Sequence, residues 1–116
     1  MASYANISAD QGADFQVSVN VEDANGDALD LTDYSLYGQV RRTYKSETAV
    51  DFNISTSGNP VNGTIYLELT AQQTSSMKSG RYVYDIYAVN ESNNTTVKIL
   101  EGVLELIPSV TKDIGS

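Results

Sequence analysis

Apolar and polar residues alternate with a period of two along most of this chain, and that pattern constrains its fold more than any other feature. Successive side chains of an extended strand point to opposite faces, so alternation over roughly four to eight residues marks a strand with one buried and one solvated face. Phe15, Val17, Val19 and Val21 are separated by Gln16, Ser18 and Asn20, which predicts such a strand. In a second strand Tyr34, Leu36, Gly38 and Val40 share one face, and Ser35, Tyr37, Gln39 and Arg41 the other. Val50, Phe52 and Ile54 repeat the pattern and Ile65, Leu67 and Leu69 resume it, so these two segments are expected to pair as a meander. From Arg81 to Val89 both faces are apolar, the mark of a central strand. A last strand runs from Thr95 to Ile107, where Pro108 removes a ladder donor, and Gly102 is a candidate bulge or kink within it.

The punctuation between these segments is that of turns. Asp23 to Asp27 contains an Asn-Gly pair that tolerates positive φ, Ser57 to Gly63 is rich in Gly, Asn and Pro, and Asn90 to Asn94 is polar throughout. Thr70-Ala-Gln-Gln73 has the form of a capping box, which predicts a helical turn lasting to about Lys78 and ended by Gly80 in the left-handed conformation. With Tyr4 to Ser8 as a short edge strand, about seven strands result. The expected fold is all-β, an immunoglobulin-like antiparallel β-sandwich with one short helical turn; a closed small barrel is the alternative. Leu36, Val40, Leu67, Ile86 and Leu104 are predicted core residues. The chain of 116 residues, 41% of them apolar, suffices for one two-layer core. It divides into an N-terminal arm with a possible edge strand (1–12), the sandwich (13–108) and a C-terminal arm (109–116).

Several chemistries are excluded by residue type. Without cysteine or histidine, nucleophilic triads and ordinary zinc sites cannot be assembled, and no cofactor is expected. Carboxylates are plentiful, but those of the first forty residues fall at turns and exposed strand positions, where solvated acids are the default. Asp23-x-Asn25-Gly26-Asp27 resembles the start of a calcium loop, yet Tyr34 stands where the bidentate Glu belongs, so an ordinary turn is expected and no metal. The net charge is −8, and residues 1–40 carry Asp10, Asp14, Glu22, Asp23, Asp27, Asp30 and Asp33 with no Lys or Arg. That third of the chain repels phosphate backbones and anionic lipid, so neither nucleic acid nor membrane is an expected partner. No apolar run approaches the roughly 18 residues of a membrane span, and the first residues lack a signal-peptide pattern, so a soluble product made in the cytoplasm is expected.

Eight tyrosines and no tryptophan are the remaining oddity. Tyrosine joins a large apolar ring to a hydroxyl that tolerates a wet rim, which suits interfaces. Tyr34, Tyr82 and Tyr84 are assigned to the edge of the core. Tyr37, Tyr44, Tyr66 and Tyr87 fall on other faces and, with the basic pair Arg41 and Arg42, are the candidate partner-binding residues.

Three segments carry a family resemblance: Asp30-Leu-Thr-Asp-Tyr-Ser-Leu-Tyr-Gly-Gln-Val-Arg-Arg42, Ser79-Gly-Arg-Tyr-Val-Tyr-Asp-Ile86 and Ile99-Leu-Glu-Gly-Val-Leu-Glu-Leu-Ile-Pro-Ser-Val-Thr111. With Gly12-Ala-Asp-Phe15 they resemble small immunoglobulin-like virion proteins of tailed, especially marine, bacteriophages. The pattern is similar to the N-terminal domain of phage baseplate upper proteins and to head or tail decoration proteins. The resemblance implies a non-enzymatic structural protein of the virion, made in the host cytoplasm. Its partners would be major capsid or tail and baseplate proteins, bound in multiple copies within a symmetric assembly. It transfers no catalytic residue, and with the sequence ending at Ser116 a free-standing decoration or connector protein is expected in place of a baseplate upper protein with its additional domains. A carbohydrate- or host-receptor-binding sandwich is the alternative, because exposed Tyr and Asn side chains also suit sugars; a carboxylate hydrolase is the weakest reading.

Overall fold

A computed structural model describes residues 3–23, 25–56 and 59–111. Its elements in chain order are β1 (Ser3–Tyr4), β2 (Ile7–Asp10), β3 (Phe15–Asn20), β4 (Tyr34–Arg41), β5 (Val50–Asp51), β6 (Asn53–Thr56), a 3-10 turn (Pro60–Asn62), β7 (Thr64–Leu69), α1 (Ala71–Ser76), β8 (Gly80–Asn90) and β9 (Thr95–Ile107). They form two sheets. One has the order β1-β9-β8-β4-β5, with β2 also on β9, and the other the order β3-β7-β6. Alternation places Ile65, Leu67 and Leu69 of β7 against Val40, Ile86, Leu100 and Leu104 of the larger sheet, all at most 1% exposed. The chain is an all-β sandwich with the strand order of the immunoglobulin type. Tyr82 supplies a further hallmark: at the turn into β8 its hydroxyl donates to the Lys78 carbonyl at 2.6 Å, the tyrosine corner of that fold.

The structure departs from the sequence-based expectation at five points, each with a physical cause. The N-terminal segment is not an arm: β1 and β2 pair with β9, and they do so parallel, so the sandwich is not wholly antiparallel. Ala9 is buried, and Gln11 donates to the Met77 carbonyl at 2.9 Å while the Gly12 N–H donates to the buried Thr74 hydroxyl at 3.0 Å, so the link from β2 to β3 is held as well. Residues 1–2 and 112–116 of the expected arms, and residues 57–58 of the expected turn, lie outside the described residues.

Alternation also runs unbroken from Val50 to Ile54, yet the chain changes sheets there. β5 pairs with β4 while β6 pairs with β7, and buried Phe52 sits at the switch with its N–H on the Gly38 carbonyl at 3.1 Å. In β9 the irregularity falls at Ile99, where the register with β8 slips between Ile86 and Tyr87, and two successive residues, Ile99 and Leu100, are both buried. Gly102 serves another purpose: a Cβ there would lie 1.9 Å from the Ala5 carbonyl oxygen, so glycine is what lets the N-terminal strand cross close over β9.

The capping box forms as its sequence predicts, with Thr70 accepting from the Gln73 N–H, but α1 ends at Ser76 and the next residue, Met77, is extended. Gly80 opens β8 at φ +127° instead of capping the helix, and a Cβ on it would lie 2.7 Å from the Arg42 guanidinium. Leu36 is half-buried, unlike the other four predicted core residues, because β5 flanks β4 only at Gln39 and Val40 and leaves Leu36 beside an open edge.

Candidate functional site

The outward positions of the larger sheet assemble into rows fixed by its register. Tyr37 of β4 stands opposite Tyr87 of β8, which stands opposite Lys98 of β9. The next row is Gln39, Asp85, Glu101 and Tyr4, and the one after it Arg41, Val83 and Val103. Tyr37 is 56% exposed, Tyr87 37% and Tyr4 66%, so three phenol rings stand on one face of a sheet whose other face is core. Lys98 Nζ lies 5.9 Å from the centre of the Tyr87 ring and 3.5 Å from Glu101 Oε1. The Glu101 carboxylate holds the Lys98 ammonium above its ordinary pKa, with Tyr87 adding to the effect.

Of the candidate residues, the structure brings Tyr37, Tyr87 and Arg41 onto this face and separates the other three. Arg41 Nη2 donates to Gln39 Oε1 at 2.9 Å, its Nη1 donates to the Ser46 carbonyl, and Gln39 Nε2 donates in turn to Asp51 Oδ1 at 2.8 Å. The guanidinium therefore anchors the loop after β4. Arg42 turns away: its guanidinium lies 4.9 Å from the centre of the Tyr82 ring and donates to the Ser79 carbonyl at 3.2 Å, in the space that Gly80 leaves open. Tyr44 is 78% exposed in the loop beyond both arginines. Tyr66 lies on the opposite sheet, half-buried between Ser18 and Ser55.

Two members of the face escaped the sequence pattern. Counting back along β9 from outward Glu105, Val103 and Glu101 by twos assigns Lys98 to the core, and only the extra residue at Ile99 returns it to the surface beside Tyr87. Tyr4 reaches the face only through the parallel pairing of β1 with β9, which no local signal announces.

Three acids of the first forty residues accept backbone N–H groups. Asp23 Oδ1 accepts from the N–H groups of Asn25 and Asp27, Asp30 Oδ1 accepts from the Thr32 N–H, and Asp14 Oδ1 caps the Ala71 N–H at 2.7 Å. The hydrogen bonds from Thr32 hold the Asp30 carboxyl below its ordinary pKa. Among the described residues no three His, Cys, Asp or Glu side chains converge as metal ligands would. A cleft of about 530 Å³ is lined by Val40, Arg42, Val50, Met77, Lys78 and Tyr82 among others.

No family model matches the sequence, and no curated protein does. Among solved structures the chain is similar to the crystal structure of Listeria monocytogenes InlP, at 12% identity and a TM-score of 0.47. That alignment covers 90% of this chain and 27% of the other, so the chain spans about a quarter of that structure.

Proposed function

We propose that this chain is a non-enzymatic structural protein of a tailed-phage virion, a decoration or accessory protein attached to the capsid or built into the tail or baseplate. The observation that carries the attachment reading is the facing pair Tyr37 and Tyr87 on a sheet that backs onto the core, because rigid aromatic rings offer contact area at little entropic cost. The virion assignment is supported by the three-segment resemblance. Other virion proteins are its partners, many copies act in a symmetric assembly, and the charges of Lys98, Glu101 and Asp85 orient the contact more than they strengthen it.

The test is incorporation into particles. Tyr37→Ala with Tyr87→Ala should leave the melting temperature within a few degrees and weaken particle binding by about tenfold or more. Normal incorporation of the folded double variant removes this face as the docking surface. Recovery of the protein on glycan arrays, with none in purified virions, favours the sugar-binding alternative.

A further inference from the structure

One incompletely sealed side of the sandwich runs along β3. On the inner face Phe15, Val17 and Val19 are only half-buried, whereas Leu69, Leu67 and Ile65, directly beside them on β7, are at most 1% exposed. The two rows belong to the same layer. They differ because β7 is flanked by β3 and β6, while β3 has a neighbour on one side alone. The N-terminal strands, which could have covered it, pair with β9 in the other sheet.

The backbone of β3 is open on the same side. In an antiparallel ladder every second residue exchanges hydrogen bonds with its partner and the residues between point theirs away. The Val21 N–H donates to the Gly63 carbonyl at 2.7 Å in continuation of the β3–β7 register, so Val19, Val17 and Phe15 bond to β7. The N–H and C=O groups of Gln16, Ser18 and Asn20 face outward, and among the described residues no strand pairs with them. Natural edges are commonly blunted by proline, lysine, a bulge or a kink, and β3 has none of these.

We propose that β3 receives an extended segment of a partner protein as an added strand. Its apolar side chains, alternating along the segment, would close the gap beside Phe15, Val17 and Val19, and its main chain would bond to Gln16, Ser18 and Asn20. Charge defines the rest of the occupant. Asp14 precedes β3, Glu22 and Asp23 follow it, and residues 1–40 hold no cation, so the segment carries Lys or Arg near its ends. A second copy fits poorly: pairing two β3 strands antiparallel about Ser18, with inner faces matched, sets Asp14 of one copy against Glu22 of the other. The inference rests on the attachment reading above and names the chemistry of one partner.

The test uses the whole purified protein and a nine-residue synthetic peptide alternating valine and threonine, with two lysines at each end. Amide exchange followed by nuclear magnetic resonance should show new protection at Gln16, Ser18 and Asn20, and unchanged protection at Val17 and Val19, which already bond to β7. Ser18→Pro removes an outward N–H without costing a ladder bond, so it should fold normally and bind about tenfold more weakly or not at all. Should that variant fail to fold, Gln16→Lys with Asn20→Lys applies the same test through repulsion and crowding at the edge. A peptide ending in glutamates should also bind about tenfold more weakly. No saturable binding, binding that survives the edge variants, or protection appearing on β4 and β8 instead overturns the proposal. Because the readout needs no particle, loss of particle incorporation in the Tyr37 and Tyr87 variants with peptide binding intact separates the two readings.

Discussion

The Tyr84 hydroxyl donates a hydrogen bond of 2.6 Å to the Ala5 carbonyl, joining two residues 79 positions apart in the chain. Tyr84 is 4% exposed, and its ring packs edge-on against Phe52 with centroids 5.8 Å apart. The same carbonyl crosses directly over Gly102, and beside it Asn6 Oδ1 accepts the Val103 N–H at 3.3 Å. The crossing between β1 and β2 is thus held by one buried hydroxyl, one missing side chain and one amide. Tyr84→Phe strands an inward carbonyl and should cost about 1–2 kcal/mol in chemical denaturation. Gly102→Ala forces the crossing apart and should cost about 3 kcal/mol or detach the strand.

Tyr84 also imposes a pH dependence. Burial, and secondly the charge of Tyr4, push its hydroxyl from an ordinary value of 10 up to about 12. The folded protein holds this proton where the unfolded chain releases it. The stability that results is complete below pH 10 and is lost as the pH rises to 12. Spectrophotometric titration of the native protein should show one late-ionising tyrosine that is absent from Tyr84→Phe; its persistence in that variant would assign the shift elsewhere.

Removal of residues 1–10 should unfold the domain or lower its melting temperature by more than about 10 °C. It deletes both parallel strands, the buried Ala9 and the Tyr84 acceptor. A truncated protein with an unchanged thermal melt would mean that these strands add docking area and little stability.

Arg42, Tyr82 and Gly80 form a second interdependent group. Gly80→Ala should cost more than Arg42→Ala, because it strains a backbone at φ +127° as well as displacing the guanidinium from the ring. Arg42→Ala alone should cost about 0.5–1 kcal/mol. A double-mutant cycle of Arg42→Ala with Tyr82→Leu that proves additive would show that the stacking contributes nothing.

Burial separates two leucines that the alternation pattern treats alike. Leu67→Ala should cost about 2–5 kcal/mol and Leu36→Ala distinctly less, since Leu67 is fully enclosed and Leu36 lies beside an open stretch of β4. Equal losses on urea denaturation would show that the edge is closed in solution.

What this sequence determines alone is what a strand or turn reports locally. Alternation decides which side of β3, β4 and β7 is buried, because side-chain direction repeats every two residues whatever the neighbours are. The Thr70 and Gln73 capping box and the Asp23 to Asp27 turn form for the same reason: every atom they need lies within a few residues. Tertiary structure decides whatever depends on which strands meet. Alternation is the same for parallel and antiparallel partners, so it does not reveal that β1 and β2 run parallel to β9. It continues through Phe52 while the chain changes sheets, and it misassigns Lys98, whose face depends on an extra residue at Ile99 in one strand and not in its partner. Even for the candidate residues, sequence supplies only exposure. That Tyr37 meets Tyr87 while Arg42 folds back onto Tyr82 is a matter of register between segments some forty to fifty residues apart, set by which pairing buries the core most completely.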